Sequence, residues 1–349
     1  MTRKKSKHKD KNYTESKARK PTYSETKADN ESSAKSAEAI MDISKWIGFD
    51  AKELDEMNCG KEGKPFAFSD TVIIWMMVMM GRFDFSVRET VGCAKAKLKD
   101  YGIKAPSRST FQRRAEEIAR NALFGPPPED PRILALFVSP NVSERRRRTG
   151  IDSTGLNLTS TSLWRMKKWR VGPKYRGWLK LHALTDLDTG EVLAWALTEE
   201  NVGDSLLFRH LFSAASAAGH RMSEIYGDNA YDSLDNWKLA AGNGVKFVTK
   251  FKSNTAPRTN GCGARGQAAR QWVACGGKGW AKLTGYGFRW KIECTFSDLK
   301  RLISESVAAR KKGGWIREVF QKVCAFNIHK EIRADIVVRT GNGVTVAEV

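Results

Sequence analysis

The segment TGIDSTGLNL at Thr149–Leu158 determines how the rest of the chain is interpreted. Its β-branched and apolar residues predict a β-strand. Asp152 stands in the middle of that strand, where a carboxylate is costly unless it is exposed on one face or has a partner. The segment therefore predicts a strand that carries a functionally important acidic residue.

Strand and helix signals alternate after Leu158. They predict a hairpin of strands at 179–185 and 192–197, a helix at 205–218, a strand at 224–227, a helix at 234–241, a strand at 245–251, and helical stretches at 286–303 and 315–333. This succession is the order of a ribonuclease-H-like domain. The sequence therefore predicts an α/β catalytic domain with a mixed five-stranded sheet and flanking helices, preceded by a small helical domain.

Three acidic residues fall where this fold would let them act together. Asp152 lies within the first strand, Asp228 follows the fourth strand, and Glu293 lies in the late helix. The first and fourth strands of such a sheet are neighbours and the late helix crosses them, so we expect the carboxylates to converge. Converging carboxylates suit Mg²⁺ or Mn²⁺, and two such ions per site can promote phosphoryl transfer. We interpret all three as catalytic metal ligands, although each acid alone would favour a structural or solvated role.

The late helix carries a polar stripe beside an apolar stripe, at about 100° per residue. The polar stripe comprises Tyr286, Arg289, Glu293 and Lys300, and the apolar stripe comprises Ile292, Phe296, Leu299 and Ile303. The apolar stripe can bury against the sheet and leave the polar stripe along a cleft. Tyr, Arg and Lys beside a metal-binding Glu suit contacts to DNA phosphates. The alternative is a solvated helix face with chance spacing.

The pattern Tyr286-x2-Arg289-x3-Glu293-x6-Lys300 resembles the catalytic-helix signature of bacterial and archaeal insertion-sequence transposases of the DDE type. The segments 151–155 and 227–232 resemble the motifs around that family's first and second catalytic aspartates. Many members have Gly where this chain has Asn229. Shorter likenesses occur at 68–70, 87–90, 109–114, 177–182 and 186–192, so the resemblance covers about residues 66 to 305.

The resemblance implies a ribonuclease-H-like fold and metal-dependent cleavage and strand transfer at the terminal inverted repeats of an insertion sequence. It also implies target DNA as a second substrate, a homodimer that brings two DNA ends together, and a prokaryotic, nucleoid-associated protein. By position, Asp152, Asp228 and Glu293 would bind metal. Tyr286, Arg289 and Lys300 would contact the DNA ends.

Composition also favours a nucleic-acid partner. The formal net charge of +21 and the pI of about 9.8 point to a polyanion, with ribosome-like or membrane-surface binding as the alternative. The six cysteines form no zinc pattern and are interpreted as reduced thiols of a cytosolic protein. No signal peptide is predicted, and the apolar run Val72–Met80 is too short to cross a bilayer.

Two regions outside the late helix are candidate DNA contacts. Helical patterns on either side of a break at 102–106 resemble a helix-turn-helix, whose second helix would present Arg113 and Arg114. An ordinary helical domain is an equal alternative. Between the first two strands, tryptophans interleave with cations, which suits stacking on unpaired bases but also suits packing on the sheet. These residues are Trp164, Trp169 and Trp178, with Lys167, Lys168 and Arg170 as predicted DNA contacts.

We predict a disordered basic tail at 1–38, a helical N-terminal domain at 39–140 with a helical pattern as far as Leu136, and a C-terminal helix and tail at 313–349. The catalytic domain spans 145–312 and includes a basic, Gly-rich insertion at about 253–285, which either closes over DNA or is only flexible. The run Arg145–Arg148 is left open between a solvated and a phosphate-binding edge. His182 is interpreted as a structural strand histidine.

Two other functions remain open at this stage. A ribonuclease-H-like nuclease without strand transfer would use the same carboxylates. A non-catalytic DNA-binding protein derived from a transposase would bind DNA ends without cutting them.

Overall fold

The computed structural model describes residues 23–42, 50–123, 130–159, 178–251, 255–258 and 261–340 of the 349-residue chain. The predicted DNA contacts Lys167, Lys168 and Arg170 lie outside the described residues, as do Trp164 and Trp169. The first part of the predicted basic tail, before Tyr23, also lies outside them. Among the helices that are described, none combines the length and apolarity needed to cross a membrane.

A mixed sheet forms the centre of the molecule. Its strands are β1 Ile133–Val138, β2 Arg147–Leu158, β3 Trp178–Asp186, β4 Val192–Glu199, β5 Met222–Gly227, β6 Lys246–Thr249 and β7 Ser306–Val307. The spatial order is β1-β4-β3-β2-β5-β6, and β7 also pairs with β2. The predicted mixed sheet is confirmed, but it has seven strands in the described residues instead of five.

The two extra strands are β1, at one edge of the sheet, and β7, beside the central strand β2. β1 pairs antiparallel with β4, and β7 pairs parallel with the last two residues of β2. Residues 133–138 belong to the region predicted as helical, and that prediction is wrong. The run ILALFV is apolar throughout, so its periodicity does not distinguish a buried strand from a buried helix. The ring of Phe137 stacks on Trp195 of β4 with the ring centres 4.2 Å apart, which fixes it as a strand of the core.

The central strand β2 has an antiparallel neighbour on one side and parallel neighbours on the other. β3 pairs with it from Thr149 to Asn157, whereas β5 pairs only with its first residues, Arg147–Gly150. The predicted adjacency of the first and fourth strands of the catalytic domain is therefore confirmed.

Helices cover the sheet and form a separate bundle beside it. They are α1 Tyr23–Met41, α2 Asp50–Asn58, α3 Asp70–Phe83, α4 Val87–Lys99, α5 Arg108–Asn121, α6 Asp204–Ala217, α7 Leu234–Gly242, α8 Gly263–Thr284, α9 Trp290–Ile303 and α10 Lys312–Thr340. Ser69 caps the start of α3, because its hydroxyl accepts a bond from the amide of Val72.

The prediction of a disordered tail is wrong for residues 23–38. These residues are part of α1, which packs against α3 and α10. Ser36 and Ile40 are buried there. The Ser36 hydroxyl lies 2.9 Å from Nδ1 of His329, and the indole of Trp75 donates to the carbonyl of Ile40 at 2.7 Å. The polar composition of this segment concealed a helix whose buried face is completed by distant parts of the chain.

The bundle is built around a close approach of α3 and α10. A Cβ added at Gly81 would lie 2.5 Å from the backbone oxygen of Gln321, so only glycine allows the two helices to pack at this distance. The helices from both ends of the chain thus share one packed unit.

The predicted insertion at 253–285 contains a helix, α8, instead of a flexible loop. Gly276, with φ of 62°, interrupts the helical conformation and kinks it. Trp280 is fully buried, and its ring lies 5.0 Å from Trp272 and 6.3 Å from Phe251 beyond β6. These aromatic contacts attach α8 to the edge of the sheet.

Candidate active site

The candidate site lies at a gap along one edge of β2. On that edge β5 pairs with β2 as far as Gly150, and β7 begins to pair at Asn157. Asp152 falls between these two partners, so its part of the edge is not covered by a neighbouring strand of the described sheet. Asp152 is half-buried, and its Oδ1 accepts a 2.8 Å bond from the amide of Ser153.

Asp228 reaches the same gap from the end of β5. It directly follows Gly227, and its Oδ1 accepts a 2.9 Å bond from the amide of Ala230 at the start of a 3₁₀ turn. The hydroxyl of Thr249, at the end of β6, donates to the Asp228 carbonyl. The charge of Asp228 is close enough to Asp152 to affect its protonation. The predicted meeting of these two aspartates is thus observed.

α9 crosses the sheet above this gap. A Cβ at Gly150 would lie 3.2 Å from Cβ of Ile292, so the small residue two positions before Asp152 lets the helix lie close to β2. The predicted apolar stripe of this helix is buried throughout, comprising Ile292, Phe296, Leu299 and Ile303. Glu293, one residue after the first of them, has 57 % of its side chain exposed on the cleft side.

Arg289 joins the helix to the strand. Its Nη1 donates to Oδ2 of Asp152 at 2.9 Å, and its Nη2 pairs with Oε1 of Glu293. Burial raises the pKa of Asp152 above its ordinary value, and Asp228 adds to the rise, whereas the Ser153 amide and Arg289 oppose it. The guanidinium therefore neutralises part of a concentrated negative charge.

Tyr286 differs from its predicted place on an exposed stripe. Residues 286–289 form a 3₁₀ turn instead of the first turn of α9, and this change of geometry directs the Tyr286 ring inward. The ring lies 5.2 Å from that of Trp280 in α8. Burial raises the pKa of Tyr286 to about 12, with Asp228, Asp152 and Glu293 contributing and Arg289 opposing. Tyr286 is thus adjacent to the carboxylates but mostly enclosed.

Lys300 lies two turns after Glu293 along α9. Its Nζ pairs with Oε2 of Glu305 at 3.0 Å, and its side chain is partly exposed. The four residues of the polar stripe therefore have different environments: Tyr286 is enclosed, Arg289 is bridged between acids, Glu293 is exposed and Lys300 is paired.

The donor set fits divalent metal chemistry, although the carboxylates are not preassembled around one point. Asp152, Asp228 and Glu293 offer the oxygen ligands that Mg²⁺ and Mn²⁺ prefer. Within the described part of the chain, no group of three or more His, Cys, Asp or Glu side chains is arranged to hold a metal ion. At this site Arg289 lies between Asp152 and Glu293 and pairs with both, which keeps the two carboxylates from facing a common metal ion.

The buried histidine of β3 does not belong to this site. His182 pairs in register with Ser153, so its side chain projects from the face of the sheet opposite to Asp152. Its Nε2 lies 2.9 Å from the Thr198 hydroxyl and its Nδ1 lies 3.3 Å from Asp204. Burial lowers the pKa of His182 to about 4. These contacts agree with its interpretation as a structural residue.

Three of the four arginines at 145–148, around the start of β2, contact acidic residues of the β3–β4 hairpin. Arg145 and Arg148 lie 3.0 Å and 2.8 Å from the carboxylate of Asp188. Arg147 is buried and lies 3.1 Å from Glu191. The Arg148 guanidinium also stacks over the ring of Phe288, 4.4 Å from its centre. The choice between a solvated and a phosphate-binding edge stays open for this run, although these three side chains pair with acidic residues of the hairpin.

The predicted DNA contacts of the helical region separate into an exposed and a buried residue. Arg113 is exposed on α5, whereas Arg114 is only 4 % exposed. The guanidinium of Arg114 pairs with Asp70 and lies 4.1 Å from the centre of the Phe66 ring. The structure contradicts the predicted DNA contact at Arg114, which instead joins α5 to α3. Residues 100–107 connect α4 to α5, a longer connection than the three- or four-residue turn of a helix-turn-helix.

A comparison with protein-family models identifies the domain that carries this arrangement. A family model described as "Transposase DDE domain" matches residues 144–328, which is more than half of the chain and includes Asp152, Asp228 and Glu293. The chain belongs to the transposase DDE domain family. It is also similar to a structure described as "Cryo-EM structure of piggyBac transposase synaptic complex with hairpin DNA (SNHP)", at 11 % identity and a TM-score of 0.34 over 90 % of this chain and 83 % of that chain.

The matched transposase domain begins just before β2 and ends within α10. Sequence reasoning singled out three acids of this domain but not two residues that contact the site, Thr249 and Trp280. Both lie in segments without a recognisable motif. The strand predicted at 245–251 in fact ends at Thr249. Had the predicted strand ended there, Thr249 would have been expected beside Gly227, the last residue of β5.

Proposed function

We propose that this chain is a transposase that binds the terminal inverted repeats of its own insertion sequence and catalyses strand cleavage and strand transfer. The observation that carries the proposal is the placement of Asp152 and Asp228 on adjacent parallel strands, with Glu293 on the helix that crosses them. An independent support is the family match, which covers the same three residues.

Each protein group at the site has a role in the proposed reaction. Two divalent ions, Mg²⁺ or Mn²⁺, would activate the attacking oxygen and stabilise the leaving oxygen when bound. Asp228 would offer carboxylate oxygen to such ions from the end of β5, and Asp152 would do so from β2 once Arg289 has left its Oδ2. Glu293 completes the set from α9 once the guanidinium of Arg289 has left it. The released Arg289 and Lys300 are then available for the phosphates of the DNA end.

The finer assignments rest on the same placement. We infer a ribonuclease-H-like catalytic domain, since three antiparallel strands, β2 to β4, are extended on the β2 side by the parallel strands β5 and β6. Two ends must be held together for transfer, so a homodimer is the expected state on DNA. The helical bundle, with Arg113 exposed on α5, is proposed to contribute DNA binding. The proposed origin is a bacterial or archaeal mobile element whose protein acts on the nucleoid.

Cleavage and joining of the DNA that flanks the gene test the proposal. The purified full chain is incubated with labelled duplexes of those ends, target plasmid, and Mg²⁺ or Mn²⁺. Wild-type protein is expected to nick the repeat ends and join them to the plasmid, whereas Glu293→Gln binds the ends without cutting. Asp235→Asn, which changes an exposed acid on α7, is the matched control and should retain both steps.

The other outcomes identify the competing functions. Cleavage without joined products would indicate a nuclease of the same fold. Binding without cleavage by the wild-type chain under either metal would indicate a non-catalytic DNA-binding protein. Equal activity of wild type and Glu293→Gln would overturn the role assigned to Glu293.

A further inference from the structure

Lys250 lies at the entrance to the site and has no role in the mechanism above. It directly follows β6, whose last residue, Thr249, pairs in register with Gly227 at the end of β5. Because β5 and β6 are parallel, Asp228 and Lys250 leave the sheet as neighbours at the same edge. The bond from the buried Thr249 hydroxyl to the Asp228 carbonyl holds these two strand ends together.

The ammonium of Lys250 lies over the aromatic ring of Tyr286, in the 3₁₀ turn that precedes α9. Its Nζ lies 5.2 Å from the centre of the Tyr286 ring. That ring is close enough to Asp152, Asp228 and Glu293 for their charges to affect its hydroxyl. Lys250 is therefore near the reacting centre, although no sequence motif marks it.

The charge of Lys250 is not neutralised by a carboxylate. Among the ion pairs of the described residues none involves Lys250, whereas Lys246, four residues earlier on the same strand, lies 2.8 Å from Glu224. Lys250 is exposed and is supported by an aromatic face, which leaves its ammonium protons free for another acceptor. Lys246 thus forms a structural ion pair, whereas the ammonium of Lys250 is available to bind an anion.

We infer that Lys250 is a phosphate-binding residue of the active site, which contacts the DNA backbone beside the reacting phosphate. The inference rests on the proposed function and deepens it, since it assigns a substrate contact to the end of β6. A lysine suits this position because phosphate groups are bound by an ammonium as a point charge without a fixed geometry. Contacts of this kind position the DNA but do not read its sequence.

The salt dependence of DNA binding tests the inference. Lys250→Gln, Lys250→Arg and the control Lys238→Gln, an exposed lysine of α7, are each made in the Glu293→Gln background, which prevents cleavage. Fluorescence anisotropy measures Kd for duplexes of the gene's flanking DNA in Mg²⁺ over a range of KCl concentrations. We expect Lys250→Gln to weaken binding about 3- to 10-fold and to reduce the slope of log Kd against log salt by about 0.9. Lys250→Arg and Lys238→Gln should match the parent.

The remaining outcomes are distinguishable. A Lys250→Gln protein with the affinity and slope of the parent overturns the inference. So does weaker binding with an unchanged slope and no rescue by arginine, because that result would mean that Lys250 only supports the Tyr286 ring. A parent protein that binds none of the duplexes overturns the proposed function itself, and this inference with it.

Discussion

Arg289 Nη1 lies 2.9 Å from Oδ2 of Asp152, and the other terminal nitrogen of the same guanidinium pairs with Glu293. One cation thus holds two of the three proposed metal ligands, which come from different elements of the fold. Any divalent ion that binds to these carboxylates competes with Arg289. The arginine therefore opposes metal binding and also keeps the acids in place before the metal arrives.

Removal of Arg289 should strengthen metal binding. We expect Arg289→Gln to bind Mn²⁺ about 10- to 100-fold more tightly, because a competing charge-assisted pair of roughly 1.5–3 kcal/mol is lost. Calorimetric titration with Mn²⁺ measures this in the absence of DNA. Arg301→Gln, on the exposed side of the same helix, is the control and should leave Mn²⁺ affinity unchanged. Equal or weaker Mn²⁺ binding by Arg289→Gln would argue against the competition.

Arg113 and Arg114 should respond differently to substitution, although they are adjacent. Arg114→Ala removes the buried link to Asp70 and is expected to lower the free energy of unfolding by about 1–3 kcal/mol. Arg113→Ala changes an exposed side chain and should leave stability within about 0.5 kcal/mol. Urea unfolding measures both variants. If Arg113→Ala is the less stable of the two, the packing of α5 described above is wrong.

Gly81 should not tolerate a side chain. Gly81→Ala places a Cβ 2.5 Å from the Gln321 carbonyl and is expected to destabilise the protein by about 1–3 kcal/mol. Gly92→Ala is the matched control, since no atom lies within 4 Å of the added Cβ in the interior of α4. The control should be neutral or more stable by about 0.5–1 kcal/mol, because alanine favours helix over glycine. Melting temperatures of the two variants that shift in the same direction would contradict this account.

Stability should fall as the pH decreases from about 6.5 to 4, in part through His329. Burial and the nearby charges of Lys330, Arg82 and Arg333 lower the pKa of His329 to about 4. The unfolded chain, with a histidine pKa near 6.5, therefore takes up the proton first and gains stability relative to the fold over this interval. In the His329→Gln variant, the decrease in the free energy of unfolding over this pH interval should be smaller by roughly 2–3 kcal/mol. Urea unfolding of the wild type and of His329→Gln at several pH values measures this difference, and identical pH profiles of the two proteins would contradict it.

Local signals in the sequence predicted the part of the site that depends on neighbouring residues. The strand around Asp152, the turn after Gly227 and the apolar stripe that includes Ile292 each follow from residues close in the chain, and the structure contains all three. Where the structure differs from the prediction, the cause is packing against residues that are distant in the chain. The burial of Arg114 depends on α3, and the burial of Ser36 depends on α10.

Two further differences have local causes that the patterns did not reveal. The glycines of the insertion suggested flexibility, but Trp272 and Trp280 provide enough buried aromatic surface to hold a kinked helix. A continuous helix through Tyr286 and Glu293 was expected, and the 3₁₀ turn before Trp290 rotates Tyr286 out of that stripe. A polar-stripe pattern at helical spacing does not reveal a change of helix type within it.

The packing of α1 against α10 has a consequence for how a newly made chain reaches its native state. Residues 23–41 emerge early from the ribosome, yet one of the two helices that cover them is made of residues 312–340. The bundle cannot close before α10 has been made, and its apolar faces stay exposed until then. We expect α1 to be protease-sensitive in nascent chains stalled before α10 and protected in the released protein. The proposed catalytic acids, which precede α10 in the chain, would then be joined to a packed bundle only after α10 has been made.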